Sequence, residues 1–169
     1  FAKDDLPPFD NSAIDGFAVR FQDCSLASQQ APVLLKIKET IRAGTVAQLE
    51  VRPGEAIKIM TGAPLPKGAD AVVMKEMTKD RGDGQVGILQ PPESGDHIRR
   101  HGEDIRSGTG ILTKGVKIRP YEVALLAAQG IDHVFVVKKP RVSILATGDE
   151  LMEVTDRLAP GKIRNSNGP

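Results

Sequence analysis

Glycine and proline recur so closely between Pro53 and Asp96 that no ordinary helix fits there. The clusters RPGE, APLPKGA, DRGDGQ and QPPESGD divide this stretch into pieces of a few residues, whereas a globular helix averages about 11–12 residues. The intervening pieces have strand character. In AIKIMTG, residues 56–62, Ile57, Ile59 and Thr61 alternate with Lys58 and Met60, and ADAVVMKE and QVGILQ follow at short spacing. PVLLKIKETI, residues 32–41, precedes them with the same mixture of alternation and β-branching. Such short strands joined by tight turns predict a small β barrel or sandwich.

The hydrophobic period changes at Arg119. In RPYEVALLAAQGI, Pro120 suits a first helical turn, Val123, Leu126 and Ala127 share a face, Leu125 and Ala128 flank it, and Gly130 can supply a left-handed terminus. A helix near 120–129 is predicted, apolar almost all round and therefore buried in its own core or against another subunit. Beyond it, residues 134–137 read as a short strand, Lys138-Lys139-Pro140 as a linker, and residues 142–146 as a strand buried on both faces of a parallel sheet. Such a strand needs covering helices. The 23 residues after Ala146 carry Pro160, Gly161, Gly168 and Pro169 and hold none, so the α/β domain beginning near Arg141 reads as truncated and the chain as a piece of a longer one.

Charge points to no polyanionic partner. With 23 Lys and Arg against 22 Asp and Glu, the formal net charge is +1, so neither nucleic acid nor a membrane surface is expected as a partner. One cysteine, Cys24, cannot form an internal disulfide, and no long apolar run or signal-like segment is present, which together point to the cytoplasm. Cys24 lies in a polar loop and reads as a bystander thiol. His97, His101 and His133 are too scattered for a zinc site, and the Walker A, GxGxxG and GxSxG patterns are absent.

Three segments combine carboxylates with glycine: Asp15-Gly16, Gly102-Glu103-Asp104 and Gly148-Asp149-Glu150. Carboxylates beside a backbone that can turn sharply suit a hard divalent cation, although each segment alone reads first as a solvated turn. TGDE is the best placed, since it follows the strand-like VSILA and α/β sheets bind ligands outside the carboxyl ends of their strands. In HIRRHGEDIRSGT, Arg99, Arg100 and Arg106 offer forks for an oxyanion, or simply a solvated basic loop. Thr61, at the turn IKIMTGAP, can bond local backbone or a bound anion.

LPPFDNSAIDGFAVR, IMTGAPLPKGADAVVMKE, HIRRHGEDIRSGT and VSILATGDEL followed by KIRNSN, in this order and spanning nearly the whole chain, resemble the molybdopterin molybdenumtransferase family, the bacterial MoeA proteins and the E domain of gephyrin. Full members are about twice this length or more. The resemblance implies a mixed α+β fold: a lead-in and linker over 1–15, a β-rich barrel-like domain over 16–101, part of an elongated dimerisation domain with its helix over 102–140, and the first strand of a truncated molybdopterin-binding-like α/β domain over 141–169.

The implied activity is insertion of molybdate into adenylylated molybdopterin with release of AMP, assisted by Mg²⁺, in a homodimer whose site lies at the junction of subunits. A molybdopterin adenylyltransferase is a further implied partner. By motif position, Asp15, Asp104 and Glu150 are implied as catalytic and metal-holding acids and Thr61 with Gly62 as substrate-binding. Gly148 and Asp149 are secondary substrate-binding candidates, and Arg99 and Arg100 anion contacts. The isolated segment is expected to be inactive. A gephyrin-like scaffold without catalysis is the competing class, disfavoured by the form of FDNSAIDG. Within that stretch, Asp10, with Asn11 and Ser12, is expected to fix a turn through local backbone N–H groups, leaving Asp15 for chemistry.

Overall fold

The computed structural model describes residues 1–168, which divide into two units, Phe1–Asp132 and a second that begins at His133. In chain order the elements of the first are β1 (Asn11–Ser12), β2 (Gly16–Val19), β3 (Val33–Ile41), β4 (Glu55–Ile59), β5 (Ala71–Met74), β6 (Thr78–Gly82), β7 (Gln85–Ile88), β8 (Ile98–Arg99) and α1 (Pro120–Ala128). The second contains β9 (Leu151–Met152) and β10 (Ile163–Arg164).

Six strands form one curled, open sheet in the order β5-β2-β4-β3-β7-β6. The strands expected from alternation are all present, and the sheet is a half-barrel with two ends rather than a closed one. β2 was not expected as a strand, yet it is flanked on both sides and buried throughout. Alternation along it feeds both faces: Phe17 and Val19 join a cluster with Leu35, Val86 and Ile88, while Ala18 joins one with Ile41, Ile57 and Ile59. Apolar side chains on both faces are what a central strand requires.

The connections follow from turn chemistry. Gly82 opposes Gln85, so β6 and β7 are joined by the two-residue loop Asp83-Gly84, with φ of 50° and 71°. Positive φ at both positions is the turn whose twist matches a hairpin, and Asp-Gly supplies it at little cost. β3 and β4 are parallel, which demands a crossover; residues 42–54 make it. The Glu39 carboxylate pins that crossover by accepting the Gln48 N–H at 3.0 Å and the Leu49 N–H at 3.2 Å.

The amino-terminal residues pack with residues 102–130. Leu6 N–H donates to the Ile105 carbonyl (2.8 Å), Asp104 N–H to the Leu6 carbonyl (2.9 Å), and Gly108 N–H to the Ala2 carbonyl (2.9 Å). Gln129, wholly buried at the end of α1, accepts the Lys3 and Asp4 N–H groups at 2.7 and 3.0 Å and donates to the Asp4 carbonyl at 3.1 Å. α1 begins at Pro120 and is followed by Gly130 with φ 60°, as expected. Within this chain its burial is one-sided. Glu122, Leu126 and Gln129, spaced along one face, are covered, whereas Tyr121 is 83% and Val123 54% exposed. The hydrogen bonds of Gln129 to a segment more than a hundred residues away choose the inward face, and hydrophobicity alone does not.

In the second unit β9 and β10 are parallel, Ile163 opposite Leu151. The strands expected at 134–137 and 142–146 are not formed; Val142, Ile144 and Leu145 are exposed. A doubly buried strand takes its stability from neighbours on both edges and layers on both faces, and the described residues supply none for these segments.

Candidate functional site

One cluster lies where β2, β4 and β5 meet. Gly16 sits opposite Ile59 on one side and Met74 on the other, which places Asp15, Thr61 and Lys75 at the same end of three neighbouring strands. Gly16 is required by space rather than by its backbone angles: a Cβ there would stand 2.0 Å from the Val73 carbonyl oxygen. The preceding loop is held rigidly. Ser12 donates its N–H to Ala63 O (3.0 Å) and its hydroxyl to Ile14 O (2.6 Å), and Gly62 N–H donates to Ser12 O (2.8 Å).

Within this frame one oxygen of Asp15 is committed. Oδ1 accepts both the Thr61 N–H at 2.9 Å and the Thr61 hydroxyl at 2.7 Å. Oδ2 has the Lys75 ammonium 3.9 Å away. The Thr61 backbone bond first, then its hydroxyl, and last the Lys75 charge hold the Asp15 carboxyl below the usual aspartate range, so it is ionised at neutral pH. Thr61 thus spends its hydroxyl on a carboxylate rather than on local backbone. An open cleft of about 290 Å³ adjoins the cluster, lined by Ala13, Ile14, Asp15, Thr61, Met74, Lys75 and Glu76.

The basic segment forms a second cluster. Arg99 donates to Glu103 at 3.0 Å and to Asp104 through a short charge-assisted bond, and these partners, Asp104 first, raise its pKa. Arg100 donates to Asp10 Oδ2 at 2.8 Å, while the His101 N–H donates to Asp10 Oδ1 at 2.7 Å. Asp10 therefore does not bond the backbone of its own turn: it clamps residues 100–101, ninety positions on. That corrects the local role expected of it; Ser12 and Asn11 make the local bonds instead. The two arginines expected as anion contacts carry carboxylate partners, and Asp104 is tied to Arg99.

Glu150, Asp149 and Gly148 belong to the second unit. The Glu150 carbonyl accepts the Ile163 N–H (2.8 Å), linking the TGDE turn to β10, and the Glu150 carboxylate folds over Gly148, whose φ is 153°. Lys162 donates to the Asp149 carbonyl. Among the described residues no three His, Cys, Asp or Glu side chains converge as a metal-binding group. Asp15 has the donor chemistry Mg²⁺ takes beside phosphate, an exposed, ionised carboxylate with one oxygen unhydrogen-bonded. Lys75 was missed by sequence reasoning: it lies in the IMTGAPLPKGADAVVMKE segment but was not singled out there, and only the register of β5 with β2 brings it to Asp15.

A curled half-barrel sheet with an acid-threonine pair at its end, joined to a helix-bearing segment, defines the class. Residues 1–130 match the family model described as the MoeA N-terminal region (domain I and II), and the chain belongs to this family. It is 47% identical over 165 residues to the molybdopterin molybdenumtransferase of Bacillus subtilis (strain 168), covering 96% of this chain and 38% of that protein. To the molybdopterin molybdenumtransferase of Staphylococcus aureus (strain Mu50 / ATCC 700699) it is 46% identical, with 98% and 39% covered. The crystal structure of the molybdopterin biosynthesis moeA protein from Pyrococcus horikoshii OT3 superposes with a TM-score of 0.84 at 44% identity, covering 92% of this chain and 41% of that one. The chain spans about two fifths of the length of the curated relatives it matches.

Proposed function

We propose that this chain serves molybdenum cofactor biosynthesis as part of a molybdopterin molybdenumtransferase, which inserts molybdate into adenylylated molybdopterin and releases AMP. The observation that carries the reading is Asp15, fixed by two hydrogen bonds from Thr61 to a single oxygen beside an open cleft. The names of the relatives support the reaction class. Releasing AMP breaks a phosphoanhydride bond, with water supplying the new oxygen, and charge then accumulates on phosphate oxygens. A pre-set carboxylate suits that chemistry as a ligand for a divalent cation that neutralises this charge, because it needs no reorganisation to bind the ion.

Mg²⁺ would be held by Asp15, with Asp104 and Glu150 as the further acids that family resemblance nominates; the ion supplies neutralisation of phosphate charge. Thr61 holds Asp15 and keeps it ionised. The reading includes a homodimer that completes the site, as the family resemblance implies, with 102–140 as its dimerisation segment.

The test uses the full-length protein. Asp15→Asn and Glu150→Gln should each cut cofactor formation at least about tenfold, roughly 1.4 kcal/mol of transition-state stabilisation, with the thermal midpoint near wild type. Full activity in both variants would refute the assignment.

A further inference from the structure

Among the described residues lining the Asp15–Thr61 cleft, Lys75 is the one cation. Its position is fixed by the sheet. The Lys75 N–H donates to the Asp15 carbonyl at 3.1 Å, carrying the β2–β5 pairing one residue past Gly16 and Met74. Its side chain is 61% exposed, and its ammonium lies 3.9 Å from Asp15 Oδ2 and 4.0 Å from Glu76 Oε1. Both separations are too long for hydrogen bonds, so neither carboxylate takes up the three N–H donors of the ammonium. The cleft therefore has acids on two sides and between them a positive charge with donors to spare.

An anion entering this cleft meets the repulsion of Asp15 and Glu76. Thr61 offsets one oxygen of Asp15, and only Lys75 presents positive charge to the incoming group. We infer that Lys75 is the oxyanion-binding residue of the cleft, holding a tetrahedral oxyanion of the substrates, phosphate or molybdate, beside Asp15. This rests on the function proposed above and names a residue that acts on the substrate rather than on the fold.

Direct titration tests it. Inorganic pyrophosphate and, separately, molybdate are titrated into the full-length protein in Mg²⁺ buffer. Lys75→Met should weaken one of the two about tenfold, the loss expected for a charge-assisted hydrogen bond, and Lys75→Arg should retain binding within about threefold. Weakened pyrophosphate binding identifies the substrate's phosphate as the ligand; weakened molybdate binding identifies the inserted oxyanion. In turnover, KM for that substrate should rise about tenfold with kcat within about twofold. No measurable binding of either probe to wild type, or equal binding by Lys75→Met, overturns the inference, as does a fall in kcat at unchanged KM, which would make Lys75 a positioning residue for Asp15. If the full-length wild type forms no cofactor while Lys75→Met still weakens a probe, the proposed function fails and the oxyanion site stands.

Discussion

Gly16→Ala is the perturbation that most directly probes how the sheet builds the site. The added methyl would lie 2.0 Å from Val73 O, 2.9 Å from Val73 C and 3.1 Å from Met74 Cα, all backbone atoms of β5. No side-chain rotation relieves this, so β5 must retreat by about 1 Å to reach even the closest separation that Cβ atoms tolerate. A retreat of that size breaks the 3.1 Å bond from Lys75 N–H to Asp15 O. Overpacking costs about 1–3 kcal/mol and a lost backbone bond about 0.5–1.5 kcal/mol, giving about 2–4 kcal/mol in all. At about 2–4 °C per kcal/mol, the thermal midpoint should fall by roughly 4–16 °C. Differential scanning calorimetry of Gly16→Ala beside Gly87→Ala supplies the contrast. At Gly87 the added methyl meets only side chains, the nearest being Pro32 Cβ at 3.3 Å, and its midpoint should stay within about 2 °C of wild type. A Gly16→Ala protein melting with wild type would show that β5 does not depend on that close approach.

Other outcomes follow from individual groups. Thr61→Ala removes the hydroxyl bond to Asp15 but keeps the stronger backbone one, so the Asp15 carboxyl should rise towards, without reaching, the ordinary aspartate value in a carbon-13 NMR titration; an unchanged value would contradict the assigned cause. Glu122 is held down to about 2, first by the Arg119 side-chain bond. Because the unfolded chain binds its proton more readily, the stabilisation is complete above the ordinary glutamate value and lost as pH falls through about 2. The gap in thermal midpoint between wild type and Glu122→Gln should accordingly narrow between about pH 4.5 and 2, and a gap that widens there has the wrong sign. Burial first, then the charges of Asp23 and Asp70, push the Cys24 thiol up to about 12. Iodoacetamide at neutral pH should label it only after denaturation, and rapid labelling of the folded protein would place it outside the core.

Much of this protein is legible residue by residue because its signals are local. Alternation in 32–41, 56–62, 71–74 and 85–88 is enough for strands, since a side chain's face follows from its position along the strand. Asp83-Gly84 dictates a hairpin, and Pro120 and Gly130 bracket a helix, through backbone preferences of single residues. The four ordered motifs carried the family, which the match of residues 1–130 shows.

What only the tertiary structure decided involves pairs distant in sequence. That β2 is a central strand depends on β4 and β5 flanking it, and neither is implied by the four residues of β2. Asp10 could bond its own turn as readily as another loop, and the fold gave it Arg100 and the His101 N–H. The inward face of α1 was set by Gln129 meeting Lys3 and Asp4, against the hydrophobic pattern of the helix. Asp15 and Thr61 each stood out by motif, but that both donors of Thr61 fall on one oxygen of Asp15, with Lys75 beside the other, follows from sheet register. Local sequence fixes dihedral angles and faces; register and docking arise from contacts across the chain, where the hydrogen bonds and charges of this site are made.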